Sequence, residues 1–334
     1  MDFAFSEEQQ MLREQARGFL AGKMPESKVV ELADSDEGWD RSLHREMAEL
    51  GWIGLSASES SGGAGMSFLD EAVLLEELGY ALYPGPYFST VALALPALET
   101  QPELLAKVAA GELTATVAAP LARVPDGAIA DLIVVAEGDG GSTTFSLHES
   151  GSCTIEPLST MDRTRRYAKV APGGEGTPLA EGTEGAALVR QIELRALAAA
   201  ALEAVGVAQK ALDLAREYVK ERQQFGKPIG IYQAVSHQIA DTYLQVELAR
   251  SLAYWAAWCV AESDEQASRA ALAAKAQATE AAVFACERSI QVHGGIGFTW
   301  EHILHRYYKR AQWLQGFRGY PSAQLSRIAD ALLV

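Results

Sequence analysis

Positive charge is in short supply in this chain: 28 Lys and Arg stand against 44 Asp and Glu in 334 residues, a formal net charge of −16. A field of that sign repels polyanions, which excludes nucleic acid and anionic membrane surfaces as partners. Cysteine is scarce as well. Cys153, Cys259 and Cys286 are odd in number, widely spaced and form no C-x-x-C pair. That excludes a disulfide framework, and the thiols read as free, buried and reduced. No uncharged apolar run approaches the roughly 20 residues needed to span a bilayer. The opening, Met1-Asp-Phe-Ala-Phe-Ser-Glu-Glu, is acidic and lacks a signal-peptide core. These absences point to a soluble cytoplasmic protein. What is plentiful is apolar surface: 49% of the residues are hydrophobic, enough for a large core divided into two or three domains.

The chain reads as helices, then strands, then helices. Residues 1–112 form an all-α domain: Ser6 with Glu8 and Gln9 opens a helix whose apolar side holds Met11, Ala16, Phe19 and Leu20, and Gly51 closes a second over Arg41 to Leu50. The glycine-rich stretch Ser58–Gly65 follows no strand and carries no Lys-Ser/Thr, so it reads as a connecting loop and not a phosphate cradle. Residues 113–185 form a small β domain with strands near Thr114, Leu132, Thr143 and Tyr167, and its last part, 171–185, reads as a Gly/Pro-rich linker. Residues 186–334 form a C-terminal four-helix bundle, rich in alanines that permit close helix approach. The fold class is therefore α+β in an α–β–α order.

Two motifs stand out in the bundle. In Arg222-Gln-Gln-Phe225-Gly226-Lys-Pro228-Ile, followed by Gln233, a guanidinium ends a long helix. Such a group either caps the helix C-terminus or binds a pyrophosphate through bidentate hydrogen bonds. In Gln291-Val-His-Gly294-Gly295-Ile-Gly297-Phe298, a glycine pair after a helix either ends it plainly or lets backbone amides approach a cofactor. His302 and His305 lie three apart with no third ligand at useful spacing, so they read as packing or surface residues and no metal is expected.

Together these motifs resemble the acyl-CoA dehydrogenase family, and Phe3-x-Phe-Ser-Glu-Glu-Gln-Gln, Gly51-Trp and Glu76-Glu-Leu-Gly79 extend the resemblance over nearly the whole chain. The resemblance implies an N-terminal helical domain, a middle β domain and a C-terminal four-helix bundle. It also implies FAD as cofactor, an acyl-CoA substrate and an electron-transfer flavoprotein as acceptor. It assigns Arg222, Phe225, Gln233, Gln291, Gly294 and Gly295 to the ADP half of an FAD that lies across a subunit interface.

The same comparison exposes losses. Counting forward from Gln291 puts Arg318-Gly319 on the family's Glu-Gly pair, whose Glu takes a proton alpha to the thioester. A guanidinium stays protonated and cannot be that base. The alternative base position of one family branch falls at about Ala196, beside Arg195. The β domain keeps only Pro120 of the family's Thr-Glu-Pro stretch and lacks its Trp-Ile-Thr strand. The expectation is a base-lacking subunit of an α2β2 dehydrogenase, similar to the smaller subunits of actinobacterial steroid side-chain enzymes, with the catalytic Glu on a partner chain. The alternatives are a self-sufficient homotetramer with Glu193 or Glu203 as a displaced base, a flavoenzyme of other chemistry, and a scaffold subunit that binds no flavin.

Overall fold

The computed structural model describes residues 5–138 and 142–333. Phe3 of the opening motif lies outside the described residues. Six helices come first: α1 (Glu7–Lys23), α2 (Glu26–Asp34), α3 (Arg41–Glu49), α4 (Phe68–Tyr80), α5 (Leu95–Leu98) and α6 (Pro102–Ala109). The strands follow: β1 (Ala115–Ala118), β2 (Val124–Pro125), β3 (Leu132–Glu137), β4 (Thr144–Glu149), β5 (Thr154–Leu158), β6 (Tyr167–Ala171) and β7 (Thr177–Ala180). Then come α7 (Gly182–Glu221), the short strands β8 (Gln223–Gln224) and β9 (Lys227–Pro228), α8 (Gln233–Ala261), α9 (Ala267–His293), α10 (Leu304–Gly316) and α11 (Pro321–Leu333). This is the expected α–β–α order. Among the described residues no helix is long and apolar enough to cross a membrane. Packing divides the chain into two compact units that cut across the sequence boundaries. One holds Met1–Val30, Ala72–Tyr83 and Leu197–Val334, the other Glu31–Glu71 and Pro84–Ala196.

In the first unit α9 is the central helix, packed by α8, α10 and α11. Its buried side is mostly alanine, with Leu272, Lys275, Thr279, Cys286, Ser289 and His293 among the rest, and the small side chains let helix axes come close. α1 starts at a capping box, in which Ser6 Oγ accepts from the Gln9 amide and Gln9 Oε1 accepts from the Ser6 amide, each at 3.2 Å. Two consecutive buried carboxylates then gather three helices. Glu76 accepts from Arg250 Nε at 3.0 Å and Tyr254 Oη at 2.9 Å on α8, and Glu77 accepts from Arg13 and Arg17 on α1. Next to them α4 and α7 cross backbone to backbone. A methyl group on Gly79 would lie 2.3 Å from the Glu203 carbonyl oxygen, and one on Gly206 2.0 Å from that of Glu76. Only hydrogen fits at this crossing.

The second unit is built on two sheets. One has the order β1-β3-β4-β7, with β1 parallel to β3 and the other pairs antiparallel; the second runs β2-β6-β5. Residues 171–185, expected as a linker, contain β7. It is an edge strand that is mostly exposed and carries Pro178, so it shows no alternating pattern. Thr90, in a π-helical stretch over Phe88–Ala94, ties the helices to β1: its Oγ1 donates to the Ala115 carbonyl at 3.0 Å and accepts from the Ala115 amide at 3.1 Å.

His44 on α3 is fully buried, with the Trp39 ring edge-on at 5.5 Å and no hydrogen-bond partner for either nitrogen. Burial, helped by Arg41, lowers its pKa from the usual 6.5 to about 4. The unfolded chain therefore takes up the proton first as pH falls. The His44 contribution to stability is complete above pH 6.5 and is lost as pH drops toward 4, a swing of about 3 kcal/mol. Denaturant titrations at a series of pH values should show His44→Leu losing this slope between pH 6.5 and 4. An unchanged slope would assign the acid sensitivity to other groups.

Candidate functional site

All six residues assigned to the dinucleotide lie in the first unit. α7 ends at Glu221, and the Arg222 amide still donates to the Tyr218 carbonyl at 2.8 Å. The chain then reverses in a two-residue hairpin, with Gln223 opposite Pro228 and Gln224 opposite Lys227. Its tip is Phe225-Gly226, with φ of +52° and +75°. Positive φ at both central residues is the turn that matches the natural twist of paired strands, and it favours glycine at the second position. Phe225 accepts the left-handed conformation and is thrown outward, 92% exposed. Tyr232 steadies it, edge-on at 6.3 Å, and donates from its hydroxyl to the Gln224 carbonyl at 3.2 Å. Arg222 and Gln233 flank the hairpin and are exposed.

The second element closes α9. Gln291, Gly294 and Gly295 are exposed, while His293 between them is buried. The three glycines of this motif have different reasons to be there. Gly294 adopts φ +64°, ψ −139°, a backbone region closed to side chains. Gly297 folds back onto the helix end, where a methyl group would sit 2.8 Å from His293 Cβ. Gly295 has ordinary φ and nothing within 4 Å of where a methyl would be. The chain's own fold does not require glycine at 295. A bare backbone there leaves room for close approach by a bound group.

Arg318 also lies in the first unit, just after α10. It is left-handed at φ +55° and is followed by Gly319 at +99°. Two fully buried side chains hold this turn, and neither is evident from hydropathy. Lys275 Nζ donates to the Gln315 carbonyl at 2.8 Å and to that of Gly319. Gln324 Nε2 donates to the carbonyls of Arg318 at 2.7 Å and Gly319 at 3.2 Å. The Arg318 guanidinium lies 5.7 Å from the Phe317 ring.

Glu203 is buried and ion-paired with Arg310, which is itself fully buried and also donates to the Tyr83 carbonyl at 3.3 Å. Glu193 is half-buried on α7. Ala196 is fully buried, and Arg195 beside it donates to Glu71 at 2.7 Å and to the Val91 carbonyl at 3.1 Å, with its guanidinium 4.4 Å from the Phe68 ring. Glu247 pairs with Arg250. His302 accepts the Leu304 amide at 3.2 Å, and His305 stands edge-on to Trp300 at 4.7 Å. No cluster of metal-ligating side chains occurs among the described residues.

With this geometry in hand, comparison with known proteins places the chain. Residues 6–112 match the acyl-CoA dehydrogenase N-terminal domain and residues 190–333 the acyl-CoA dehydrogenase C-terminal domain. Acyl-CoA dehydrogenase IpdE2 of Mycolicibacterium smegmatis is 35% identical over 325 residues, covering 97% of this chain and 98% of that protein. IpdE2 of Mycobacterium tuberculosis is 36% identical over 309 residues, 91% of each. Among solved structures, the ChsE4-ChsE5 complex from Mycobacterium tuberculosis contains a chain of 26% identity that superimposes with a TM-score of 0.90, covering 100% of this chain and 99% of that one. A variant of the Tcur3481-Tcur3483 steroid ACAD gives 29% identity and a TM-score of 0.89 over 98% of each chain. From helical N-terminal domain to C-terminal bundle, the chain belongs to the acyl-CoA dehydrogenase family.

Proposed function

We propose that this chain is the base-lacking subunit of an α2β2, FAD-dependent acyl-CoA dehydrogenase. Its partner is a catalytic dehydrogenase subunit that supplies the carboxylate base. The observation that carries the reading is Arg318: a guanidinium occupies a left-handed turn tied down by Lys275 and Gln324, at the sequence position where the family has its Glu. Arg222 would pair with the pyrophosphate, Phe225 would cover the dinucleotide, and Gln233 and Gln291 would bond its polar edge. Gly294 and Gly295 would leave room for it against the backbone. FAD, when bound, supplies the hydride acceptor for alpha,beta-desaturation of an acyl-CoA thioester. The partner's carboxylate takes the alpha proton as hydride leaves the beta carbon. The similarity to subunits of the ChsE4-ChsE5 complex and of a steroid ACAD supports a shared assembly and a steroid side-chain CoA as substrate. An electron-transfer flavoprotein would accept the electrons in the cytoplasm.

A self-sufficient enzyme with Glu203 as a displaced base is disfavoured, because that carboxylate is buried against Arg310. Purification of the chain alone and with its partner tests the assignment. Flavin absorbance and acyl-CoA oxidation should appear only in the complex. Arg318→Ala should keep kcat within about twofold of the wild-type complex, since no transition-state contact is removed. A yellow isolated chain that desaturates an acyl-CoA unaided would end this reading.

A further inference from the structure

We propose that the stacked rings of Tyr218 and His293 form a joint that holds the Arg222 hairpin and the Gln291–Gly295 turn in fixed relation. Both would then be positioning residues for the dinucleotide grip. The inference rests on the FAD reading above.

The two motifs come from the ends of different helices, α7 and α9. Tyr218 lies one helical turn before Arg222 and accepts its amide hydrogen at 2.8 Å. His293 is the last residue of α9, two beyond Gln291 and directly before Gly294. Their ring centroids are 4.2 Å apart with planes inclined by 26°, a stacked pair. A movement of one ring therefore displaces the backbone at the head of its motif.

The histidine ring is fixed on every side the structure shows. Nδ1 lies 2.7 Å from the Ser289 carbonyl oxygen. A carbonyl only accepts, so Nδ1 carries the proton and sets both tautomer and ring angle. Burial lowers the pKa of this imidazole, which keeps the ring neutral and suited to stacking. Gly297 closes over its Cβ, and His302 adds a third ring at 4.7 Å, inclined at 61°. Chain from α7, α9 and the α9–α10 connection thus converges on one buried imidazole. A leucine could fill that space as a packing group. A ring with a directed N–H provides orientation as well.

The test uses the complex with its partner, stripped of FAD and titrated with it, comparing Tyr218→Leu, His293→Leu, Tyr218→Phe and Arg222→Ala. The leucine variants should bind FAD about tenfold more weakly, the loss expected from removing one aromatic pair. Their α2β2 mass by light scattering and their KM for acyl-CoA at saturating FAD should be unchanged. Tyr218→Phe should restore wild-type affinity because it keeps the stack. If both leucine variants bind FAD normally while Arg222→Ala does not, the joint is refuted and the FAD reading stands. Weakened FAD binding that accompanies loss of the α2β2 mass would mark the pair as a packing contact and also refute it. If Arg222→Ala itself binds FAD normally, the underlying reading fails and the joint falls with it.

Discussion

Arg222→Ala is expected to weaken FAD binding to the assembled complex by about tenfold to a hundredfold, the worth of charge-assisted hydrogen bonds to one phosphate group. The side chain is exposed beyond the end of α7, so its removal should leave unfolding temperature and assembly nearly unchanged. The loss is read directly as flavin absorbance retained through gel filtration, or as a dissociation constant by fluorescence titration. Arg222→Lys should recover part of the affinity and no more, because an ammonium offers a point charge in place of a planar fork. Unaltered flavin content in Arg222→Ala would leave the hairpin without a ligand and would count against the shared-site reading.

The second large effect lies in the core. Arg310→Met should destabilise the protein by about 3–5 kcal/mol, because it removes the cation facing a buried carboxylate. The Arg310 guanidinium is fully buried, touches Glu203 and also serves the Tyr83 carbonyl. The double replacement Glu203→Leu with Arg310→Met should be markedly less damaging than Arg310→Met alone, since no charge is then left in apolar surroundings. Thermal unfolding of the wild type and the two variants gives the comparison. Equal loss in the single and double variants would show that packing volume, and not charge, governs this site.

The sequence carries the long-range plan of the molecule well. The Ser6 cap places the first helix and alanine-rich apolar spacing the long helices of the bundle, whereas α2, α5 and α6 are not located, and short β-rich runs separated by Gly, Asp and Pro place β1, β3, β4 and β6. β2, β5 and β7 escape: β2 has only two residues, and β5 and β7 are edge strands with a proline and few buried side chains, so none has an alternation to detect. The site motifs announce themselves as residue types, but their geometry does not. The outward throw of Phe225 follows from a hairpin only two residues long, and the Phe225-Gly226 pair is a weaker turn signal than Asn-Gly or Asp-Gly. Arg318 is readable by counting, whereas its anchors are not: Lys275 lies 43 residues upstream on another helix, where a lone lysine among alanines reads as a solvated residue. The Tyr218–His293 stack is likewise a meeting of two helix ends that no local spacing foretells. Contacts made by tertiary packing leave no periodic trace in the chain that makes them.

The hairpin leaves the Phe225 ring out in water. A folded subunit that presents a bare phenyl ring, with Phe298 82% and Trp300 75% exposed on the connection after α9, carries oily rims that water does not favour. Expressed as an orphan, such a subunit would be a client for chaperones and prone to stick to itself, held in solution mainly by mutual repulsion of its surplus acidic groups. Raising the salt concentration screens that repulsion. A lone preparation should therefore cloud as ionic strength rises, and co-translation with the proposed catalytic subunit should keep it clear.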